Sequence, residues 1–346
     1  MTSQLARGSA CWLLGLALLC PGAARADEAE DKSSAFVLKL GGKAERNFNL
    51  PGNPVVRVVL FQTKVRDADL KELAGLKSLK DLYLSSTQVG DAGLRELAPL
   101  QNLRLLFLDK TRVGDAALNE LAALKNLTNL SLVYTKVGNA GMKDVARLKK
   151  LESLGLNFTQ VTDAGMKELA ALKNLKELYL YETKVGDAGM KDLASLQNLH
   201  LLDLGRTQVG DAGLKELTAL KNLKELRLSE TPVAGLKGLA ALQNLKKLLL
   251  YKTRVGDAGL KELAALKHLT FLNLDNTQVG DAGMKELARL DNLQFLFMRS
   301  TQVGNAGLKE LAGLKNLQML YVSNTKVTAA GQQELEKALP KCQITR

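Results

Sequence analysis

One frame returns through most of this chain, starting at Leu76, Leu100, Leu124, Leu148, Leu172, Leu196, Leu220, Leu242, Leu266, Leu290 and Leu314. Each step is 24 residues except that from Leu220 to Leu242, which is 22. A representative unit, LKNLKELYLYETKVGDAGMKDLAS, runs from Leu172 to Ser195, and a degenerate first turn ends Val58-Val59-Leu60-Phe61-Gln62-Thr63. A unit this short cannot bury its own apolar face, so its neighbours must cover it. The chain therefore grows by stacking turns, and a count of domains from its 346 residues does not apply.

Within the unit, apolar and variable residues alternate through Glu177-Leu178-Tyr179-Leu180-Tyr181. That is the period of a half-buried strand. Asp187 to Leu193 then reads as a short helix, with Asp187 as its N-cap and Met190, Leu193 and Leu196 on one face. Asp or Asn recurs at the cap position, from Asp67 through Asn139 and Asp211 to Asn305. Thr follows every strand, from Thr63 to Thr325, where its hydroxyl can bond the departing backbone and a neighbouring Thr can extend a ladder.

The pattern L-x-x-L-x-L followed by x-x-T resembles the leucine-rich repeat, in a bacterial secreted variant with Thr where many members carry Asn. The likeness covers residues 55–339 in about twelve copies. It implies an α/β solenoid, a horseshoe with a parallel concave β-sheet and short convex helices. It also implies an interaction scaffold whose concave side holds a protein or peptide.

The ends depart from the repeat. Arg7, the apolar stretch Ala10 to Cys20 and Ala24-Arg25-Ala26 together make an export signal over residues 1–26. Its apolar run is too short to span a bilayer, and no later stretch is a spanning candidate. Cleavage before Asp27 predicts a periplasmic or secreted product; lipid attachment at Cys20 is the rival, disfavoured by Leu18-Leu19. Residues 27–34 read as a flexible acidic leader, 35–54 as a β-rich N-terminal cap, and 340–346 as a C-terminal cap with a closing strand around Cys342-Gln343-Ile344. Removal of residues 1–26 leaves Cys342 alone, so no internal disulfide is expected. The 22-residue turn lacks two residues and the Asp, which predicts a shortened helix and a local change of curvature.

Nothing in the chain assembles a reaction centre. His200 and His268 stand in units three turns apart, with neither a Cys nor a second His beside them, so neither a metal site nor a cofactor is expected. V-G-D-A-G recurs in nearly every turn and lacks the Lys-Ser/Thr of a phosphate loop, which makes it a packing element. Glu177, Glu182, Asp203, Glu225 and Glu230 gather in successive turns, but Arg206, Arg227 and Lys252 share their columns as an alternating charge ladder. The expectation is a non-enzyme.

Four positions per turn are free to vary on the concave side; in the unit above they are Glu177, Tyr179, Tyr181 and Glu182. These columns contain every Phe and Tyr beyond residue 50. A middle group (Tyr134, Phe158, Tyr179, Tyr181) and a C-terminal group (Tyr251, Phe271, Phe295, Phe297, Tyr321) form the candidate ligand-binding face. The columns hold seven bases and eight acids, whereas the chain as a whole carries +12, or +10 once Arg7 and Arg25 are removed. The basic excess therefore lies on the helices and rims, at Lys125, Lys173, Lys221 and Lys267. No nucleic-acid groove is expected, and the chain is read as a monomer. A Lys-rich rim that touches an envelope polyanion or a membrane surface is the alternative.

Overall fold

A computed structural model describes residues 21–346, with side chains from Glu28 onward. The export signal expected over residues 1–26 lies almost wholly outside the described residues. Among these, α1 (Pro21–Lys39) is followed by β1 (Lys43–Arg46), β2 (Val55–Val59) and twelve three-residue strands, from β3 (Asp81–Tyr83) to β14 (Gln343–Thr345). All fourteen lie in one sheet in sequence order. Only β1–β2 is antiparallel; from β2 onward each strand pairs in parallel with the next, offset by one unit (Leu178↔Leu202, Leu202↔Leu226). The chain is thus a horseshoe solenoid with α or 3-10 helices of three to seven residues on its outer side through the repeats, and Ala329–Ala338 closing the last turn. No described helix is long and apolar enough to cross a membrane.

The core is one continuous stack of Leu, Val and Met, to which each turn adds residues at equivalent positions, such as Leu172, Leu175, Leu178, Leu180, Val185, Met190 and Leu193, all fully buried. Packing of this density makes every scaffold Leu expensive to remove, because the cavity left behind cannot close.

Three polar devices bind the turns. In the first, each Thr after a strand donates its hydroxyl to the Leu, Met or Val carbonyl three residues earlier at 2.6–2.8 Å, as Thr183 does to Leu180. The bond stays within one turn, so the expected Thr-to-Thr ladder is replaced by twelve separate closures. The residue before each Thr has φ of 51–60°. That left-handed conformation aims its N–H at the next turn, as Glu182 N–H does at the Gly205 carbonyl at 2.8 Å.

The second device corrects the capping role expected for Asp. Each α-helix of the repeats is preceded by an extended Gly or Thr at the N-cap, and Asp187 is the first helical residue. Its carboxylate serves the following turn, where Oδ1 accepts the backbone N–H of Gly210 at 2.7 Å and of Gly213 at 2.9 Å. The same stitch runs from Asp67 to Gly90, Asp115 to Gly138 and Asp281 to Gly304. Where Asn replaces Asp, the next turn carries Thr instead of Gly. Asn139 and Asn305 accept the N–H of Thr162 and Thr328, and donate to their hydroxyls at 2.8 and 2.9 Å. The third device was not foreseen: the Asn of L-K-N-L donates to the carbonyl of the previous turn at 2.8–2.9 Å, as Asn174 does to Lys149.

The N-terminal end differs most from expectation. Residues 27–34 are not a free leader, and Phe36–Lys39 is not strand; both belong to α1. Glu30, Ser33 and Val37 fall on one helical face and are buried. Glu30 accepts the Val55 N–H at 3.0 Å and Ser33 donates to the Glu72 carbonyl at 2.6 Å, while Asp31 pairs with Arg46. The polar residues that suggested disorder thus make the contacts that seat the helix over the first turn. At the other end β14 closes the sheet as expected, and in the 22-residue turn the helix shrinks to the 3-10 segment Leu239–Ala241.

Leu180→Ala should cost about 2–5 kcal/mol in denaturant unfolding, as for other buried Leu truncations. With Cys11 and Cys20 confined to the expected export signal and Cys342 buried and unpaired, reductant should leave the thermal midpoint unchanged. Asp187→Ala should cost roughly 1–3 kcal/mol by orphaning backbone donors. Asp187→Asn combined with Gly210→Thr should recover most of that loss in a double-mutant cycle, because it recreates the pair found at Asn139 and Thr162. A negligible cost of Asp187→Ala would show that the stitch contributes nothing, and a double mutant no better than Asp187→Ala would show that the Asn–Thr pair does not replace it here.

Candidate functional site

The parallel register lines equivalent residues up across the sheet, so concave side chains 24 residues apart become lateral neighbours. Tyr83 on β3 stacks on Phe107 on β4 (Leu105–Phe107), with centroids 5.0 Å apart and planes 3° from parallel. Tyr134 stacks on Phe158 at 3.8 Å, and Phe158 meets Tyr181 at 5.3 Å. Toward the C-terminus Phe271 contacts Phe295 and Phe297, and Phe297 stacks on Tyr321 at 4.7 Å. Lys110, Lys252 and Arg299 lie over ring faces, with Lys110 Nζ 5.4 Å from the Tyr134 centroid.

The nine residues singled out from the sequence all reach the surface, Tyr134 at 47% exposure and the others half-buried. They fall into two contiguous clusters with two outliers. Tyr134, Phe158 and Tyr181 form one cluster; Phe271, Phe295, Phe297 and Tyr321 form the other. Tyr179 instead donates its hydroxyl to Glu177 at 3.2 Å, and burial with that carboxylate pushes its pKa up to about 12. Tyr251 has the Lys252 ammonium over its ring and, among the described residues, joins no ring pair. Tyr134 and Phe158 occupy the left-handed position. A bulky side chain there is costly, on the order of 1–2 kcal/mol.

The two groupings reach only one edge, at Tyr134, of a concave depression of about 700 Å³ at the N-terminal third. Phe61, Tyr83, Phe107, Val133 and Tyr134 provide its apolar surface, with Arg57 and Lys110 among its charged residues. Column adjacency was the available signal, since Tyr83 and Phe107 are one unit apart at the same position. A second depression of about 300 Å³ shares Phe107 and Val133 and extends to Glu177 and Tyr179. Here Ser131, Ser153 and Gly155 supply only small side chains between rings.

The acids of the concave face are mostly spoken for. Arg206 pairs with Glu182 at 2.5 Å and Glu230 at 3.9 Å, and Lys252 also reaches Glu230. Arg227 bridges Asp203 and Glu225. Asp203 is buried, and desolvation raises its pKa against the pull of Arg227 and the Gly205 N–H. Arg299 holds Asp275, and Arg57 holds Asp81. The expected alternating ladder is therefore present, and it leaves no facing pair of free carboxylates among these residues.

No group of three His, Cys, Asp or Glu residues suited to a metal ion occurs among the described residues. His268 stands where other units carry the ladder Asn, and His200 rests Nδ1 2.6 Å from the Asn198 carbonyl. Cys342 borders a 230 Å³ cavity at the C-terminal end, where burial pushes its thiol up to about 11 and keeps it protonated near neutral pH. The outer lysines point elsewhere: Lys173, Lys221 and Lys267 donate to the carbonyls of Ser195, Ala241 and Arg289 on the following turn.

Comparison with known proteins agrees with this geometry. A leucine-rich-repeat region model matches residues 183–344, and a second leucine-rich-repeat model matches residues 75–98 and 147–170. No curated protein matches the chain in sequence. An internalin from Listeria monocytogenes is similar in structure, with a TM-score of 0.68 at 23% identity over 92% of this chain and 94% of that one. A leucine-rich-repeat protein of Leptospira interrogans has a TM-score of 0.61 at 28% identity, covering 80% of this chain and 74% of its own. The chain is a leucine-rich-repeat protein.

Proposed function

We propose that this chain is an exported interaction scaffold that holds a protein or peptide against its concave sheet. The observation that carries the reading is the placement of the rings. The buried core is aliphatic, and every Phe and Tyr beyond residue 50 lies in the concave columns; most of them pack into clusters, and those toward the N-terminus border two adjoining depressions. Contiguous exposed rings mark interaction surfaces, where Tyr is enriched among the residues that dominate affinity. The self-neutralised charges between the clusters fit a partner recognised by shape and apolar contact.

The export half of the proposal rests on residues 1–26. N-terminal sequencing of the native product should find Asp27 first; an intact Met1 would overturn export, and a diacylated Cys20 would replace cleavage before Asp27 with lipid attachment.

The binding half is tested by pull-down from the source organism with three variants: Tyr179→Ala/Tyr181→Ala, Phe295→Ala/Phe297→Ala, and the rim reversal Lys173→Glu/Lys221→Glu/Lys267→Glu. Each ring pair should keep its thermal midpoint within a few degrees. At least one should lose about 1–2 kcal/mol or more of affinity for the captured partner. The rim variant should retain that partner, and raised salt should weaken the complex little. A partner lost by the rim variant, or eluted steeply by salt, and kept by both ring variants would replace this reading with the polyanion one.

A further inference from the structure

The 300 Å³ depression between Phe107 and Tyr179 differs in chemistry from its larger neighbour. Phe107, Ser131, Gly155 and Tyr179 occupy one column across β4, β5 (Asn129–Ser131), β6 (Ser153–Gly155) and β7 (Glu177–Tyr179). Two rings are thus separated by two strands without large side chains. Gly155 keeps that gap open, because a Cβ would stand 2.9 Å from Ser131 Oγ and displace it. Glu177 is the one charged residue in the lining. Its Oε2 accepts from Ser153 Oγ at 3.0 Å and from Tyr179 OH at 3.2 Å, which fixes the carboxylate. Among the described residues its Oε1 has no hydrogen-bond donor, and no cation lies within salt-bridge distance.

Glu177 is an exception on this face. Glu182, Asp203, Glu225, Glu230, Asp81 and Asp275 each meet an Arg or Lys. Asp109, the other acid without a cation, has both oxygens occupied by Ser85, Ser131 and the Val133 N–H. The depression therefore combines a held carboxylate with an open oxygen, flanking aromatic rings and polar side chains from Asn129 and Asn157. A planar cation with several donors satisfies all of these together. It stacks on a ring face while one edge donates to the carboxylate, and a guanidinium does both better than an ammonium.

We infer that the depression lined by Phe107, Gly155, Glu177 and Tyr179 is a socket for one arginine side chain of a peptide lying along the concave sheet. This rests on the concave-face reading above and names the residue that the face selects. The adjoining 700 Å³ cavity, with Lys110 at its edge, takes an apolar part of the same peptide.

The test needs no known ligand. A phage-displayed library of random ten-residue peptides is selected on the full chain, and an enriched peptide is synthesised with arginine, and with citrulline in its place. Arginine should be enriched, and citrulline should weaken binding roughly tenfold, the scale of one charge-assisted hydrogen bond. Glu177→Gln, nearly isosteric, should weaken the arginine peptide by a similar factor and leave the citrulline peptide unchanged. Lys110→Gln should preserve the arginine preference. Equal binding of both peptides, or equal weakening of both by Glu177→Gln, overturns the socket. Peptides that lack that preference but weaken on Tyr83→Ala/Tyr134→Ala would leave the concave face standing without the socket. Selection that yields no binder sensitive to either variant counts against both.

Discussion

The solenoid depends on one contact repeated along its outer side, the carboxylate of one turn held on the backbone N–H of the next. A buried N–H without an acceptor is costly, and the start of each short helix leaves such donors unpaired. An N-cap side chain would satisfy them locally and bind nothing else. Here Asp187 reaches forward to Gly210 and Gly213, so helix termination and turn stacking become a single interaction. Close approach is its condition: a Cβ at Gly213 would stand 2.6 Å from Asp187 Oδ1. The V-G-D-A-G signature suits this spacing, although Ala117 stands at the second Gly position beside an intact Asp91–Gly114 stitch, and its Asn exceptions keep the contact. Asn139 precedes Thr162 and Asn305 precedes Thr328, with the amide supplying a donor that only the hydroxyl can use. In the 22-residue turn Gly235 stands where the carboxylate would be, and the stitch to Gly256 is missing.

That division of labour frees the concave face. Aliphatic residues fill the interior, the Asp and Asn devices tie the outer side, and the Thr closures turn the chain after each strand. Each of these positions tolerates little change. The remaining four per turn have no structural duty beyond compatibility with the pleat, so their side chains are available for recognition. The left-handed residue before each Thr shows how far that freedom extends. Its backbone is set by the N–H aimed at the next turn, and the position carries Ser, Asn, Lys, Arg, Glu, Gln, Tyr or Phe in different units. Strain from Tyr134 and Phe158 is borne where it places two stacked rings on the surface.

Most of the scaffold was legible because repetition turns a weak local signal into a strong one. The strands, the inward Leu positions, the shortened turn and the closing strand all follow from reading a unit against its neighbours. What escaped shared a different cause. The Asp role was misassigned because local sequence shows a cap residue before a helix and cannot show which turn's N–H it meets. The helix over residues 21–39 was missed because its packing face is Glu30, Ser33 and Val37. A polar buried face carries no hydrophobic periodicity, and its value lies in partners at Val55 and Glu72. The N-terminal cavity was overlooked for a similar reason. Phe61, Tyr83 and Phe107 were visible as concave rings, but which rings enclose a hollow depends on the small residues between them.

The concave surface is therefore read across the turns and not along the chain. Residues 24 apart are lateral neighbours, so Phe107, Ser131, Gly155 and Tyr179 form one local sequence in space, two rings around a gap. Charge obeys the same transverse order, with Glu182, Arg206, Glu230 and Lys252 neutralising each other across successive turns. A ladder of this kind gains little energy at a solvated surface, but it removes free charge from the turns it crosses. Against that neutral background an isolated group stands out to an incoming ligand. Specificity on such a face comes less from how many charges it bears than from which ones their neighbours leave unpaired.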